Sequence, residues 1–167
     1  MHRQTRCICT YLGKYLGMQA MRKPAPATPA SDLSPCNCLA LRQAARHVTQ
    51  LYDRHMAPEG LRANQYSILS KLARLGPLSI NQLAGMMVMD RTTMGRAVRP
   101  MVRDKLLSVG RGEDGRTRVV RLTAAGEARL KSAMVRWKAA QREFEAAYGA
   151  PEAERLRASL ARVVVSV

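Results

Sequence analysis

Residues 90–126, DRTTMGRAVRPMVRDKLLSVGRGEDGRTRVVRLTAAG, constrain this chain more than any other stretch. Asp90 is a helix cap, and the basic segment behind it repeats its apolar residues at helical spacing through about residue 104. Leu106–Arg111 and Arg116–Leu122 alternate well enough for two strands, with Glu113-Asp114-Gly115 as the tight turn between them. Thr123 then caps another helix. Helix, strand, turn, strand, helix is the order of a winged helix-turn-helix. The expected fold class is therefore mainly α with a small β-hairpin wing.

On the basic helix, Met94, Val98, Met101 and Val102 share a face that packs inward, leaving Arg91, Thr92, Thr93, Arg96 and Arg99 largely elsewhere. Arg bonds bidentately to guanine O6 and N7, and Thr contacts a thymine methyl or a phosphate, so this surface suits the major groove of duplex DNA. The hairpin carries Asp114, Arg116 and Arg118 toward its tip. Arg116 on a narrow turn suits the minor groove, whose negative potential attracts guanidinium. Asp114 cannot favour DNA directly, and its expected work is to hold an arginine. Pro100 breaks a local rule: inside a helix it cannot donate to the Arg96 carbonyl, which costs roughly 3 kcal/mol or forces a bend. The helix is expected either to kink there or to end early.

The flanking segments read as helices. Ser34-Pro35 looks like a cap with Pro at the first helical position, opening a helix that buries Leu39, Leu41, Ala45, Val48, Leu51 and Tyr52. A second helix covers about 63–75, with Tyr66, Leu69, Leu72 and Ala73 on its apolar side, and Gly76-Pro77 ends it. Leu78-Ser79 reads as a short extended link, and Ser79-x-x-Gln82 is a capping box for a brief helix through about Met87. After the hairpin, Leu130, Met134, Trp137, Phe144 and Tyr148 step by helical intervals until Gly149-Ala150-Pro151. A last helix covers about 152–165.

Composition agrees with a polyanion as partner. The 167 residues hold 28 Lys and Arg against 12 Asp and Glu, a formal charge of +16. Such an excess favours nucleic acid, because each neutralised phosphate releases condensed counterions. No run of roughly 18 apolar residues suggests a membrane span, and a cytoplasmic protein is expected. Residues 1–33 form a basic, Pro/Ala-rich extension, expected to be disordered, with Met18 and Met21 as alternative starts. Residues 34–167 form the folded domain, with the winged helix-turn-helix at about 61–122 and further helices at about 35–57 and 123–165. No Gly-rich phosphate loop, H-E-x-x-H or nucleophile elbow occurs, so no enzyme, catalytic residue, metal or cofactor is expected.

LRANQYSILSKLARLGPLSINQLAGMM, DRTTMGRAVRPMVRDKLL and GEDGRTRVVRLTAAG together resemble the MarR family, the multiple-antibiotic-resistance regulators of bacteria. The likeness covers residues 36–165 and includes the proline of the recognition helix. Asp114-Gly115-Arg116 matches the D-x-R of the family's wing. Arg62 departs from it, since many members place a helix-capping Thr there, and Asn64 is the alternative cap. The resemblance implies a transcriptional repressor that is a homodimer built on its first and last helices, bound to a pseudo-palindromic operator. The chain's own apolar residues agree, with Leu39, Val48 and Leu51 facing Phe144, Leu156, Leu160 and Val163 as the candidate interface.

It also implies release by a small aromatic or phenolic effector, for which Arg46, His47, Tyr52 and Tyr66 are the candidate lining residues. Two alternatives stay open. Cys36 and Cys38, placed in the first turn of a capped helix, would be stabilised as thiolates by the dipole and suit a redox switch. A ligand-independent architectural protein would bind DNA without preferring one palindrome.

Overall fold

The computed structural model describes residues 35–112 and 115–166. Two compact units are distinguished, divided between Ala40 and Leu41. The N-terminal extension, Ser34, Glu113 and Asp114 lie outside the described residues.

Of the first unit, Pro35–Ala40 are described, and they include the opening turn of helix α1 (Asn37–Met56). The Ala40 N–H donates to the Cys36 carbonyl at 3.0 Å, which puts Cys36 at the cap position. Pro35 therefore precedes the helix instead of opening it. Only Cys38 of the two thiols lies within the first turn, and both are exposed.

In the second unit α1 continues to Met56 and is followed by a short 3-10 turn, Ala57–Glu59. Then come α2 (Ala63–Leu75), β1 (Leu78–Ser79), α3 (Ile80–Met86) and α4 (Arg91–Arg103). The hairpin strands β2 (Leu107–Arg111) and β3 (Arg118–Leu122) precede two closing helices, α5 (Ala124–Tyr148) and α6 (Ala150–Ser166). Leu78-Ser79, expected as a bare link, forms a third strand: Leu78 pairs with Val120 and Ser79 with Val119, giving the antiparallel order β1-β3-β2. The link is drawn into the sheet because β3 otherwise leaves an unpaired edge. The hairpin strands are shorter than their sequence pattern, so Arg116 and Thr117 belong to the turn.

The core lies between these layers. Ile68, Leu69 and Leu72 of α2 meet Leu83 of α3, Met94, Val98 and Met101 of α4, and Leu107 and Val120 of the sheet. Every one of these side chains is buried, and α2 and α4 supply theirs at the expected three- and four-residue steps. Ala73, expected on the buried side of α2, is exposed. Gly126 lets the first turn of α5 close on the strand entry. A Cβ there would lie 2.2 Å from the Leu106 carbonyl oxygen.

The terminal helices behave differently. Within α1 only Met56 is buried, and within α6 only Ala153. Leu41 and Ala45, expected to be buried, are exposed, while Val48, Leu51 and Tyr52 are half-buried. Leu160, Val163, Val164 and Val165 of α6 are exposed as well. Apolar faces of this kind have no covering element within the described part of the second unit.

Candidate nucleic-acid interface

The helix-turn-helix is built from local signals. Ser79 caps α3 as a reciprocal box: its hydroxyl accepts the Gln82 N–H at 3.2 Å, and the Gln82 side-chain Oε1 accepts the Ser79 N–H at 2.9 Å. Met87, Val88 and Met89 turn the chain, with Val88 in the left-handed region at φ +52°. Asp90 then caps α4, accepting the Thr93 N–H at 2.8 Å and the Thr93 hydroxyl at 2.5 Å. The Thr93 hydroxyl bond first, and its N–H second, hold the Asp90 carboxyl below its ordinary value.

α4 runs unbroken from Arg91 to Arg103 through Pro100. The expected early end does not occur. The Asp104 N–H donates to the Pro100 carbonyl at 2.9 Å, so Pro100 still serves the last turn as an acceptor. Arg91, Thr92, Arg96 and Arg99 are all exposed, opposite a buried stripe of Met94, Val98 and Met101. Thr93 is exposed too, but its hydroxyl proton is committed to Asp90, leaving that oxygen only as an acceptor. Its first task is to fix the helix start.

α4 and the wing together form an open cleft of about 680 Å³. Arg91, Gly95 and Arg99, four residues apart on α4, form one wall, and Arg116 and Arg118 form the other. Asn81 of α3 joins them, a residue that carried no motif and could be found only from the packing of α3 against α4. Arg96 is exposed but does not line the cleft. The wing's own surface holds a smaller cavity of about 590 Å³, lined by Arg111, Arg116 and Arg118 beside Gly110. Arg111 is the second residue that sequence reasoning passed over. Asp114, expected to orient an arginine, lies outside the described residues.

The four candidate effector residues differ in burial. Tyr66 is buried in the core, its ring stacked on Trp137 with centroids 6.1 Å apart, and burial raises its phenol above the ordinary value. Tyr52 is half-buried and its hydroxyl donates to the Gln141 side-chain oxygen of α5. Burial first, and Glu145 second, raise the Tyr52 phenol, while Arg157 opposes them. Arg46 and His47 are exposed on α1. None of the four lines either cleft.

A basic helix set beside a hairpin wing, over a helix-turn-helix, defines a winged-helix DNA-binding protein. The MarR family model matches residues 61–117, from the start of α2 into the wing. The transcriptional regulator MosR of Mycobacterium tuberculosis, in complex with DNA, is 34% identical; the alignment covers 78% of this chain and 95% of MosR, with a TM-score of 0.71. A probable transcriptional regulator from Pseudomonas aeruginosa is 29% identical over 77% of this chain and 97% of its own, with a TM-score of 0.70. PcaV of Streptomyces coelicolor, in complex with its natural ligand, shares the fold at 24% identity and a TM-score of 0.72, covering 83% and 99%. No curated protein matches the chain. The chain belongs to the MarR family and is a transcriptional regulator. Among the described residues, no helix is long and apolar enough to cross a membrane.

Proposed function

We propose that this regulator acts as a cytoplasmic homodimeric repressor that reads a pseudo-palindromic operator and releases it on binding a small effector. The observation that carries the DNA-binding part is the cleft where Arg91 and Arg99 of α4 face Arg116 and Arg118 of the wing. Arg91, Thr92, Arg96 and Arg99 are assigned to the major groove, with Thr93 next to them at the capped start of α4. Arg116 and Arg118 are assigned to the wing's contact with the minor groove and its flanking phosphates, with Asp114 assigned to hold an arginine, either Arg116 or one of α4. Exposed apolar residues on α6 support the dimer. The effector follows from membership of the family, and its chemical class is read as aromatic or phenolic, with Arg46, His47, Tyr52 and Tyr66 as the residues to test. No catalytic task is assigned.

Selection of duplexes from a random pool tests the reading. Enrichment of one inverted repeat, with half-sites about one helical turn apart, is expected. Uniform recovery of all sequences overturns it in favour of architectural binding. With the operator in hand, Arg96→Ala is expected to relax preference at particular bases by about 1–3 kcal/mol. Arg116→Ala is expected to weaken binding to many sequences and lower the salt slope by about one unit. Asp114→Ala weakens binding as well, although it removes a negative charge. Tighter binding by Asp114→Ala would sink the wing assignment. Loss of DNA under peroxide in the parent, but not in a Cys36→Ser/Cys38→Ser variant, would replace the effector with a thiol switch.

A further inference from the structure

We infer that Arg111 and Arg118 form a clamp on the wing for one DNA backbone phosphate, with Arg121 as its positioning residue. The inference rests on the DNA-binding reading above and assigns a task to the last rung of the hairpin. Arg111 and Arg118 are direct partners in the β2–β3 ladder. Directly opposed residues of an antiparallel pair stand on the same face, with Cβ atoms about 4.5–5.5 Å apart. Both side chains are exposed, and among the described residues neither guanidinium has a hydrogen-bond or ion-pair partner. Like charges so opposed weaken a free hairpin. An anion held between them removes the repulsion, and the phosphate group accepts two planar guanidinium forks at once. The two arginines already share a concave surface, the wing cavity of about 590 Å³. Arg118 also lines the cleft beside α4, so the clamp borders the surface that faces the grooves.

Arg121 pairs with Ser108, three residues along the ladder from the Arg111–Arg118 pair, and so stands on the opposite side of the sheet. From there its Nη2 donates to the Arg111 carbonyl at 2.9 Å. Gly110 makes that reach possible, because a Cβ at this position would lie 2.8 Å from Arg121 Nη1. The bond fixes β2 at its last residue, just before the ladder closes through the Gly112 N–H and the Thr117 carbonyl at 2.6 Å.

The test uses the full chain and a random-sequence duplex, since a backbone contact carries no base preference. Affinity is measured at several salt concentrations for wild type, Arg111→Gln, Arg118→Gln and the double variant. The double variant is expected to lose about 0.9 of the logarithmic salt slope, one phosphate's worth. Between 50 and 200 mM salt the wild type then loses about three- to fourfold more affinity than the double variant. The two single affinity losses should not add. Without DNA, all three variants should melt no lower than wild type, because a repulsion has been removed. An unchanged slope, a loss of two units, or a lower melting point that tracks the lost binding overturns the clamp. Arg121→Ala should reproduce the slope loss and Arg121→Lys should restore it; equal behaviour of the two removes Arg121 from the proposal. Inorganic phosphate added at constant ionic strength should not compete, and competition confined to wild type would make this a free-anion site. If the wild type shows no salt-dependent duplex binding, the DNA-binding reading itself has failed.

Discussion

Val88 links α3 to α4 at φ +52° with its side chain 72% exposed. A β-branched residue in the left-handed region costs on the order of 1–2 kcal/mol, and at this exposure little packing offsets it. Glycine adopts that conformation freely, although it loses more entropy on folding. Val88→Gly is therefore expected to stabilise the fold by about 1 kcal/mol, read as a higher urea midpoint at constant m-value. A lower midpoint would mean that the valine surface is buried against something. Two positions on, Asp90 links the capped start of α4 to pH. Its folded carboxyl is depressed, so its contribution is fully present above the unfolded value of about 3.9 and is lost as pH falls through the lower folded one. Asp90→Asn should show a shallower loss of stability below about pH 4 than wild type. Superimposable acid limbs would show that the cap titrates without consequence.

The start of α2 shows how one element completes another. Arg62 precedes the helix, and an arginine side chain has no acceptor to offer the helix N–H groups. Asn64, expected as the substitute, lies inside the first turn, which begins at Ala63. Asp53 of α1 does the work instead: its carboxylate accepts the Ala63 N–H at 2.8 Å and pairs with Arg62 Nη1 at 3.1 Å. Gln65 accepts the Arg62 N–H at 2.9 Å from the other side. Asp53→Ala should cost about 1–2 kcal/mol, the range of a lost cap with a charged acceptor. Arg62→Thr added to Asp53→Ala should restore about 1 kcal/mol, because the new hydroxyl caps locally. The same change in the wild type should gain less, since the N–H is already satisfied. Equal gains in both backgrounds, in chemical denaturation, would show that Asp53 is not the cap.

At the scale of the molecule, polar contacts tie α1 to α5. Glu143 bonds His55 Nε2 at 2.6 Å and Arg54 at 3.2 Å, and Tyr52 donates to Gln141. The two Glu143 pairs are exposed and each contributes little by itself. Leu160 and Val164 of α6 are exposed, at 40% and 58%. Exposed apolar residues of this kind on a closing helix fit a twofold interface, in which each face covers its copy. Sedimentation at micromolar concentration should give the dimer mass. Leu160→Glu should give monomers and lose tight operator binding, while the monomer keeps its helical content. A wild-type monomer, or a dimeric Leu160→Glu protein that still binds tightly, would place the interface elsewhere.

The sequence by itself determined the elements whose caps and periodicity are local and unambiguous. Ser79, Asp90 and Thr123 announce their helices because a cap needs only a side chain and an N–H three residues on. The buried stripe of α4 and the exposed arginines opposite it follow from 3.6-residue periodicity, which needs no knowledge of the partner. What depends on contacts between distant residues was decided by the tertiary structure. Leu78-Ser79 became a strand only because Val119 and Val120 lie beside it. Asp53 became a cap ten residues before the N–H it serves. Tyr66 went to the core because Trp137, seventy-one residues later, offers its ring, and no spacing rule distinguishes that tyrosine from one lining a pocket. Arg111 gained an interface because the register set it opposite Arg118, and register is a property of two strands together.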